Sequence, residues 1–504
     1  MCHLWRQVVL GDSSLWARIT EISKEISINT EFIYQMLARA RDAPLDIDID
    51  PCQTRGSIVL LMISPHLSHT RKLRLHSLFE SDFDGFRRIC SQEAPALEHF
   101  TLNSSASSLS TSLELGVTTL FKGAPKLRTF SLYYVFIPWS LIPRGQLTHL
   151  EISLAIEASN YINPPHGNLN QLIDLLVNCS ELKVLILESC LPSQLSEFSH
   201  GQTIDLPRLS RLGLGGSSSR ITNLLKMLKL SSATALQLYC IFKNNTPYND
   251  HWHSSLLPVV SAHFQRTAPI ELKSLRITLS CRECRLSVIA STCSLITARI
   301  CQSLDFRSDV YDNGRTFLEL FELPEHGHWT DLIEQLCKML PISNLEVLSI
   351  SAPDFVDSVN WVEVLKRCTT VSTVEIIGRG ASSLVWALTQ STSAQKHTPI
   401  FLNLASLSLK EFNFAEDEHP SGILFDVVQK GLRQRMVECR ALKVLHIESC
   451  TIGSKRAKAL RGLVLTFQWD EMDIFNKPDS HDSDSDERHE PALWEEFFDA
   501  SGST

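Results

Sequence analysis

The sequence has no run of 18 apolar residues, so no stretch of it reads as a membrane-spanning helix. It has no excess of positive charge either: 47 Lys and Arg stand against 56 Asp and Glu, a formal net charge of −9. That balance argues against sequence-independent binding to nucleic acid, which needs clustered cations to neutralise phosphates. The start, Met1 to Arg6, lacks the basic flank and apolar core of a secretory signal. The 14 cysteines are therefore expected to be reduced thiols in a cytoplasmic or nuclear protein. No stretch fits G-x-x-x-x-G-K-[ST], H-E-x-x-H or G-x-S-x-G, and no acid–base or nucleophile pair stands out. The expectation is a chain that does no chemistry and uses no cofactor and no catalytic metal.

What is present is repetition. Asn178 to Cys190 reads NCSELKVLILESC, and Glu438 to Cys450 reads ECRALKVLHIESC. Both follow L-x-x-L-x-L-x-x-C through Leu182, Leu185, Leu187 and Cys190, and through Leu442, Leu445, Ile447 and Cys450. This is the consensus of a leucine-rich repeat, in which a short strand buries alternate residues before the chain turns away. A second pair, APALEHFTL from Ala94 and APKLRTFSL from Ala124, lies 30 residues apart in the same style. Looser copies start at Leu147, Leu209, Ala233, Leu272, Leu345, Val371 and Leu404. Between them, apolar residues recur every three or four positions, as in Leu169, Leu172, Ile173 and Leu176, which predicts helices. Such spacers run over 83–90, 168–178, 221–228, 253–265, 332–339, 361–368 and 422–438. The stretch 280–323 has no clear triad and reads as an insertion or as degenerate repeats. Gly213-Leu-Gly215-Gly216 reads as a turn.

Residues Cys2 to Ile19, CHLWRQVVLGDSSLWARI, resemble the C-terminal half of an F-box, whose recurring end is V-C-x-x-W-R followed by L-W-x-x-I. Cys2, Trp5, Arg6, Leu15, Trp16 and Ile19 hold those places. The first half, with its Leu-Pro and Ile-Phe signature, does not precede Met1, so the expectation is a truncated module or a start placed too late. Downstream, the amphipathic pattern of 30–41 and the alternating Leu45-Asp46-Ile47-Asp48-Ile49 add a helix and a half-buried strand. That layout is similar to the large fungal (mushroom-type) family of F-box proteins. The resemblance implies a substrate-receptor subunit of an SCF-type cullin–RING ubiquitin ligase. Such a subunit binds a Skp-type adaptor and, through it, the cullin, and holds an unidentified protein substrate. On this reading the F-box remnant holds the adaptor-facing module together. The alternative is an interaction scaffold uncoupled from any ligase, because the adaptor-binding half is missing.

The expected architecture is α/β: an irregular leucine-rich-repeat-like solenoid, or horseshoe, behind a short all-helical F-box remnant. The expected boundaries are a partial F-box over 1–28, a linking helix and strand over 29–56, the repeats over 57–469, and an acidic, largely disordered tail over 470–504. Within that tail 479–490 reads DSHDSDSDERHE, with Ser483 placed for an acid-directed kinase, and 492–498 reads as a short helix. Residues between the buried strand positions form a solenoid's open face. Here they include His99, Thr101, Tyr133, His149, Glu151, Arg211, Arg276, Glu375, Lys410, His446 and Glu448. Cys281, Cys284, Cys293 and Cys301 invite a zinc reading through one C-x-x-C, but the second half lacks ligand spacing, so packing is the simpler account.

Overall fold

The two matched copies fold as strands, Val184–Glu188 and Val444–Glu448. Leu185 and Leu187 in the first, and Leu445 and Ile447 in the second, are fully buried. Burying each such side chain contributes about 1.5–3 kcal/mol. The computed structural model describes residues 3–20, 30–50, 56–104, 120–121, 124–154, 167–192, 203–231, 233–241, 252–265, 271–280, 285–291, 315–321, 329–352, 359–389, 400–414, 418–419, 422–438 and 441–470.

Its main sheet has 17 strands. They are β1 Arg18–Thr20, β2 Leu45–Ile49, β3 Thr70–Leu78, β4 His99–Ser104, β5 Thr129–Tyr133, β6 His149–Ser153, β7 Val184–Glu188, β8 Arg211–Gly216 and β9 Ala235–Ile241. There follow β10 Ser274–Ser280, β11 Arg285–Ser291, β12 Arg315–Phe321, β13 Val347–Ser351, β14 Thr373–Ile377, β15 Ser406–Lys410, β16 Val444–Glu448 and β17 Thr466–Trp469. From β1 to β9 each strand pairs in parallel with the next in sequence. Then the order breaks. β9 pairs with β12, β12 runs antiparallel to β11, β11 antiparallel to β10, and β10 rejoins β13 in parallel. From β13 the parallel succession resumes to β17.

This pairing corrects the expected architecture. In a solenoid each unit touches only its sequence neighbours, whereas here three strands of the region 274–321 are laid in reverse order inside the sheet. Nor does a separate all-helical module precede the sheet. Ile19, the last residue of the F-box-like motif, sits in β1 opposite Ile47 of β2 and is buried. The chain is a mixed α/β protein on one large, mainly parallel sheet with one continuous core.

Apart from α1, which precedes β1, the helices lie between consecutive strands, as parallel pairing requires. They are α1 His3–Gly11, α2 Thr30–Ala40, α3 Gly56–Ile63, α4 Phe83–Cys90, α5 Leu169–Val177, α6 Ser218–Met227, α7 Trp252–Gln265, α8 Trp329–Met339, α9 Trp361–Leu365, α10 Ser382–Thr389, α11 Leu424–Glu438 and α12 Ser454–Arg461. α5 shows why they form where they do. Asn168 accepts the Gln171 N–H while the Gln171 side chain accepts the Asn168 N–H, a reciprocal cap. Its apolar stripe, Leu169, Leu172, Ile173 and Leu176, is buried.

The turn that follows the matched strands explains why Ser-Cys recurs there. Ser189 and Ser449 adopt φ of 56° and 54°. Their N–H groups then reach sideways, from Ser189 to the Gly215 carbonyl and from Ser449 to Asp470 Oδ2 at 2.6 Å. The next residue turns its thiol into the core. Cys450 Sγ donates to the Leu409 carbonyl and accepts the Phe412 N–H, both at 3.4 Å. Burial pushes the Cys450 thiol up to about 11, so thiol reagents at neutral pH are expected to modify it only when the protein opens. Pulse labelling with mass spectrometry checks this; modification of Cys450 at the rate of a free thiol overturns it. At Ser449 the left-handed backbone disfavours a branched side chain, so Ser449→Val is expected to cost about 1–2 kcal/mol. Ser449→Gly is expected to cost nothing or to stabilise slightly. Urea titration of both variants reads the difference.

Candidate functional site

One face of the sheet carries the helices, and the other is made by the residues between the buried strand positions. Nine of the residues expected there fall into two separate groups. Cross-strand register brings the members of each together.

The first group spans β5 to β9. His149 Nε2 lies 3.3 Å from Glu151 Oε2. Tyr133 also hydrogen-bonds to Glu151, and the Arg211 charge is near. Burial opposes the charged form of Glu151, but these partners outweigh it and hold the carboxyl below its ordinary value. Arg211 Nε donates to Gln237 Oε1 at 2.9 Å. Arg211 opens β8, where Gly213 and Gly215 carry no side chain. The expected turn at 213–216 is thus corrected: these residues form a strand. A Cβ on Gly213 would stand 3.2 Å from the Ile186 side chain, and one on Gly215 would stand 3.1 Å from the Glu188 backbone. The two glycines therefore let Ile186 and Glu188 lean across the strand. Gly215→Val is expected to displace Glu188 and cost about 1–3 kcal/mol through overpacking, measured as a fall in the urea midpoint.

The second group spans β10 to β16 and is an ion network. Arg276 donates to Ser349 Oγ at 3.3 Å and to Glu375 Oε2 at 3.1 Å. Ser349 Oγ donates to the same Glu375 oxygen at 2.7 Å. Lys410 Nζ bridges Glu375 Oε1 at 3.2 Å and Glu448 Oε2 at 2.8 Å. His446 Nδ1 lies 4.0 Å from Glu448 Oε2 and 3.4 Å from Ser408 Oγ. Burial alone would raise Glu375, yet the Ser349 hydroxyl and the Lys410 and Arg276 charges bring it below its ordinary value. Lys410 is raised: Glu448 and Glu375 outweigh its partial burial. The arrangement is an array of oriented donors and acceptors with both charge signs, suited to recognising a polar surface.

A third group escaped the sequence reading. Asp46 accepts both Arg71 nitrogens, at 3.0 and 2.7 Å, and Asp48 takes Arg74 and His76 at 3.3 and 2.9 Å. The signal was present, since Asp48 and Arg74 stand between buried residues in Ile-Asp-Ile and Leu-Arg-Leu. His99 and Thr101 continue this face on β4, with His99 Nδ1 3.0 Å from Thr129 Oγ1.

Of the F-box-like residues, Cys2 lies outside the described residues and Trp5 lies in α1. Arg6 is exposed, and Leu15 is 55% exposed, so Leu15 is a surface residue. Trp16 is the tie. Its Nε1 donates to the Val9 carbonyl at 2.7 Å, and the Arg39 guanidinium stacks 4.4 Å from its ring. It thereby joins α1 to α2. Cys281, Cys284, Cys293 and Cys301 lie outside the described residues, as do residues 471–504 of the tail, with Ser483 and 492–498 among them. Among the described residues no group of three or more His, Cys, Asp or Glu is placed to hold a metal ion. Among them, too, no helix is long and apolar enough to cross a membrane. Compared with known proteins, the chain matches no family model and no curated protein sequence.

Proposed function

We propose that the chain is a receptor that acts by binding: it holds a protein target on the open face of its sheet and, through its N-terminal segment, delivers it to a ubiquitin ligase. The single observation that supports target binding is the ordered polar face, where oriented charged and hydroxyl groups from five strands are fixed by one another. Its contribution on this reading is proximity, which raises the effective concentration of the target near an activated ubiquitin. The ligase link draws on the F-box-like residues. In keeping with it, Val8, Leu10 and Leu15 stand 49%, 42% and 55% exposed on α1 and the turn after it, as apolar residues that meet a partner do. The partners proposed are a Skp-type adaptor, a cullin and an unidentified protein substrate.

The test is co-purification of the full chain with a Skp-type adaptor from its own source. Stoichiometric binding, abolished by Val8→Asp with Leu15→Asp while the thermal transition is unchanged, is the expected result. A well-folded chain that captures no adaptor removes the ligase link. That outcome favours the second reading, a scaffold without a ligase, which draws on β1 being built into the sheet.

A further inference from the structure

The C-terminal end of the described chain carries a basic surface. On α12, Ser454–Arg461, the exposed residues Lys455, Lys458 and Arg461 recur every third position and share one side. The adjacent α11, Leu424–Glu438, adds exposed Lys430 and Arg433. None of these five cations is held in an ion pair with a described residue, although exposed Asp426 lies one turn before Lys430. The platform beneath them is anchored. Arg456 donates to the Phe414 carbonyl at 3.0 Å and stacks 5.3 Å over the Phe425 ring, and Ala457 and Leu460 are buried.

The chain leaves the sheet beside this surface. α12 is followed directly by the last strand, β17, and then by Asp470, whose carboxylate accepts the Ser449 N–H at 2.6 Å. Residues 471–478 come next, and then DSHDSDSDERHE over 479–490, with six carboxylates and one guanidinium. An extended span from 470 to 479 reaches about 30 Å, well beyond the ~12 Å length of α12. A tethered segment with so short a linker has an effective concentration on the order of millimolar. Weak, screened attraction between opposite charges suffices to populate a contact at that concentration.

We propose that the acidic stretch Asp479–Glu490 docks on the basic side of α12 and α11 of its own chain. The contact is electrostatic and therefore dependent on salt, because exposed charges are screened beyond about 8 Å at physiological ionic strength. It occupies exposed cations on the last two helices before the tail.

Two measurements on the full chain test this. The first is zero-length carbodiimide cross-linking with mass spectrometry on a mixture of isotopically heavy and light protein. Links from Lys455 and Lys458 to carboxylates within 479–490 are expected at about 50 mM salt, within single molecules, falling about fivefold at about 1 M salt. The Lys273–Glu346 pair, at 2.9 Å, supplies the internal control. The second measurement is tryptic cleavage after Arg488, the one site in 470–504 not followed by proline. The exposed-surface variant Lys455→Gln/Lys458→Gln/Arg461→Gln is expected to speed that cleavage about fivefold. Control links without tail links, tail links only between heavy and light copies, or equal cleavage rates each overturn the proposal. Tight binding of a labelled oligonucleotide to this side, without tail links, assigns it to nucleic acid instead and also overturns the proposal.

Discussion

Glu375→Ala is expected to destabilise the protein by about 3 kcal/mol. The carboxylate accepts Arg276, Ser349 and Lys410 together, and the two cations are only 13% and 21% exposed. Removing the acid leaves the largely desolvated Arg276 guanidinium without its carboxylate and Lys410 with Glu448 alone, which breaks a buried pair at a cost larger than the pair's own net contribution. The remaining exposure keeps the cost toward the lower end of the range for buried pairs. The double variant Glu375→Ala/Arg276→Met is expected to recover a large part of the loss, because the orphaned guanidinium goes with it. The sign of the pH dependence follows from the lowered carboxyl. Its stabilising share is complete above the ordinary glutamate value of 4.5 and is lost as the pH falls through the folded-state value below that. Glu151 and Asp48, also lowered, add to the same acid loss. The urea midpoints of wild type and Glu375→Gln should therefore converge at acid pH, where the native carboxyl is itself protonated. A gap that stays the same from neutral pH down to about 3.5 overturns the account.

The elements were more legible in the sequence than their order. Helix α4 spans Phe83–Cys90 and α5 lies within 168–178, since apolar periodicity and a cap are local signals. The strand at Val444–Glu448 follows from an alternation that only one face can bury. Register then delivered the ion network, because Arg276, Glu375, Lys410 and His446 each stand next to or between buried strand residues. What local signals do not carry is which strand meets which. The reversal at β10 to β12 joins Gln237 to Phe317 and Ser274 to Val347, pairings across about 70–80 residues that no periodicity encodes. Glycine misled for a related reason. Gly213-Leu-Gly215-Gly216 reads as a turn by composition, yet the glycines are there because Ile186 and Glu188 need the space above the neighbouring strand. At the N-terminus, a short motif pointed to a helical module, but Ile19 extends the sheet, and burying its side chain beside Ile47 decides the local structure.

Arg435→Leu is expected to cost about 3 kcal/mol, and for a reason that lies in the backbone it serves. Arg435 sits on α11 and is 5% exposed, a position where a charge persists only when it is hydrogen-bonded. Its Nη1 donates to the Ile400 carbonyl at 3.2 Å and its Nη2 to the Phe401 carbonyl at 2.8 Å. Phe401 adopts φ of 57°, unfavourable for an aromatic residue, and its ring is buried beside the entry to β15. The guanidinium thus supplies the donor to the Ile400 carbonyl and a second donor to the Phe401 carbonyl, which also accepts the Leu404 N–H at 3.0 Å, and it fixes where β15 starts. Leucine keeps the apolar stem but leaves the Ile400 carbonyl without its donor and the Phe401 carbonyl with the Leu404 N–H alone. Lysine can serve one carbonyl at a time, since its ammonium lacks the planar fork, so Arg435→Lys is expected to recover about half of the loss. A local fault should also show in hydrogen exchange, with amides of 404–410 losing protection before those of β7. Equal stability of Arg435→Leu and wild type, or a loss of protection spread evenly across the sheet, would refute this role for the buried arginine.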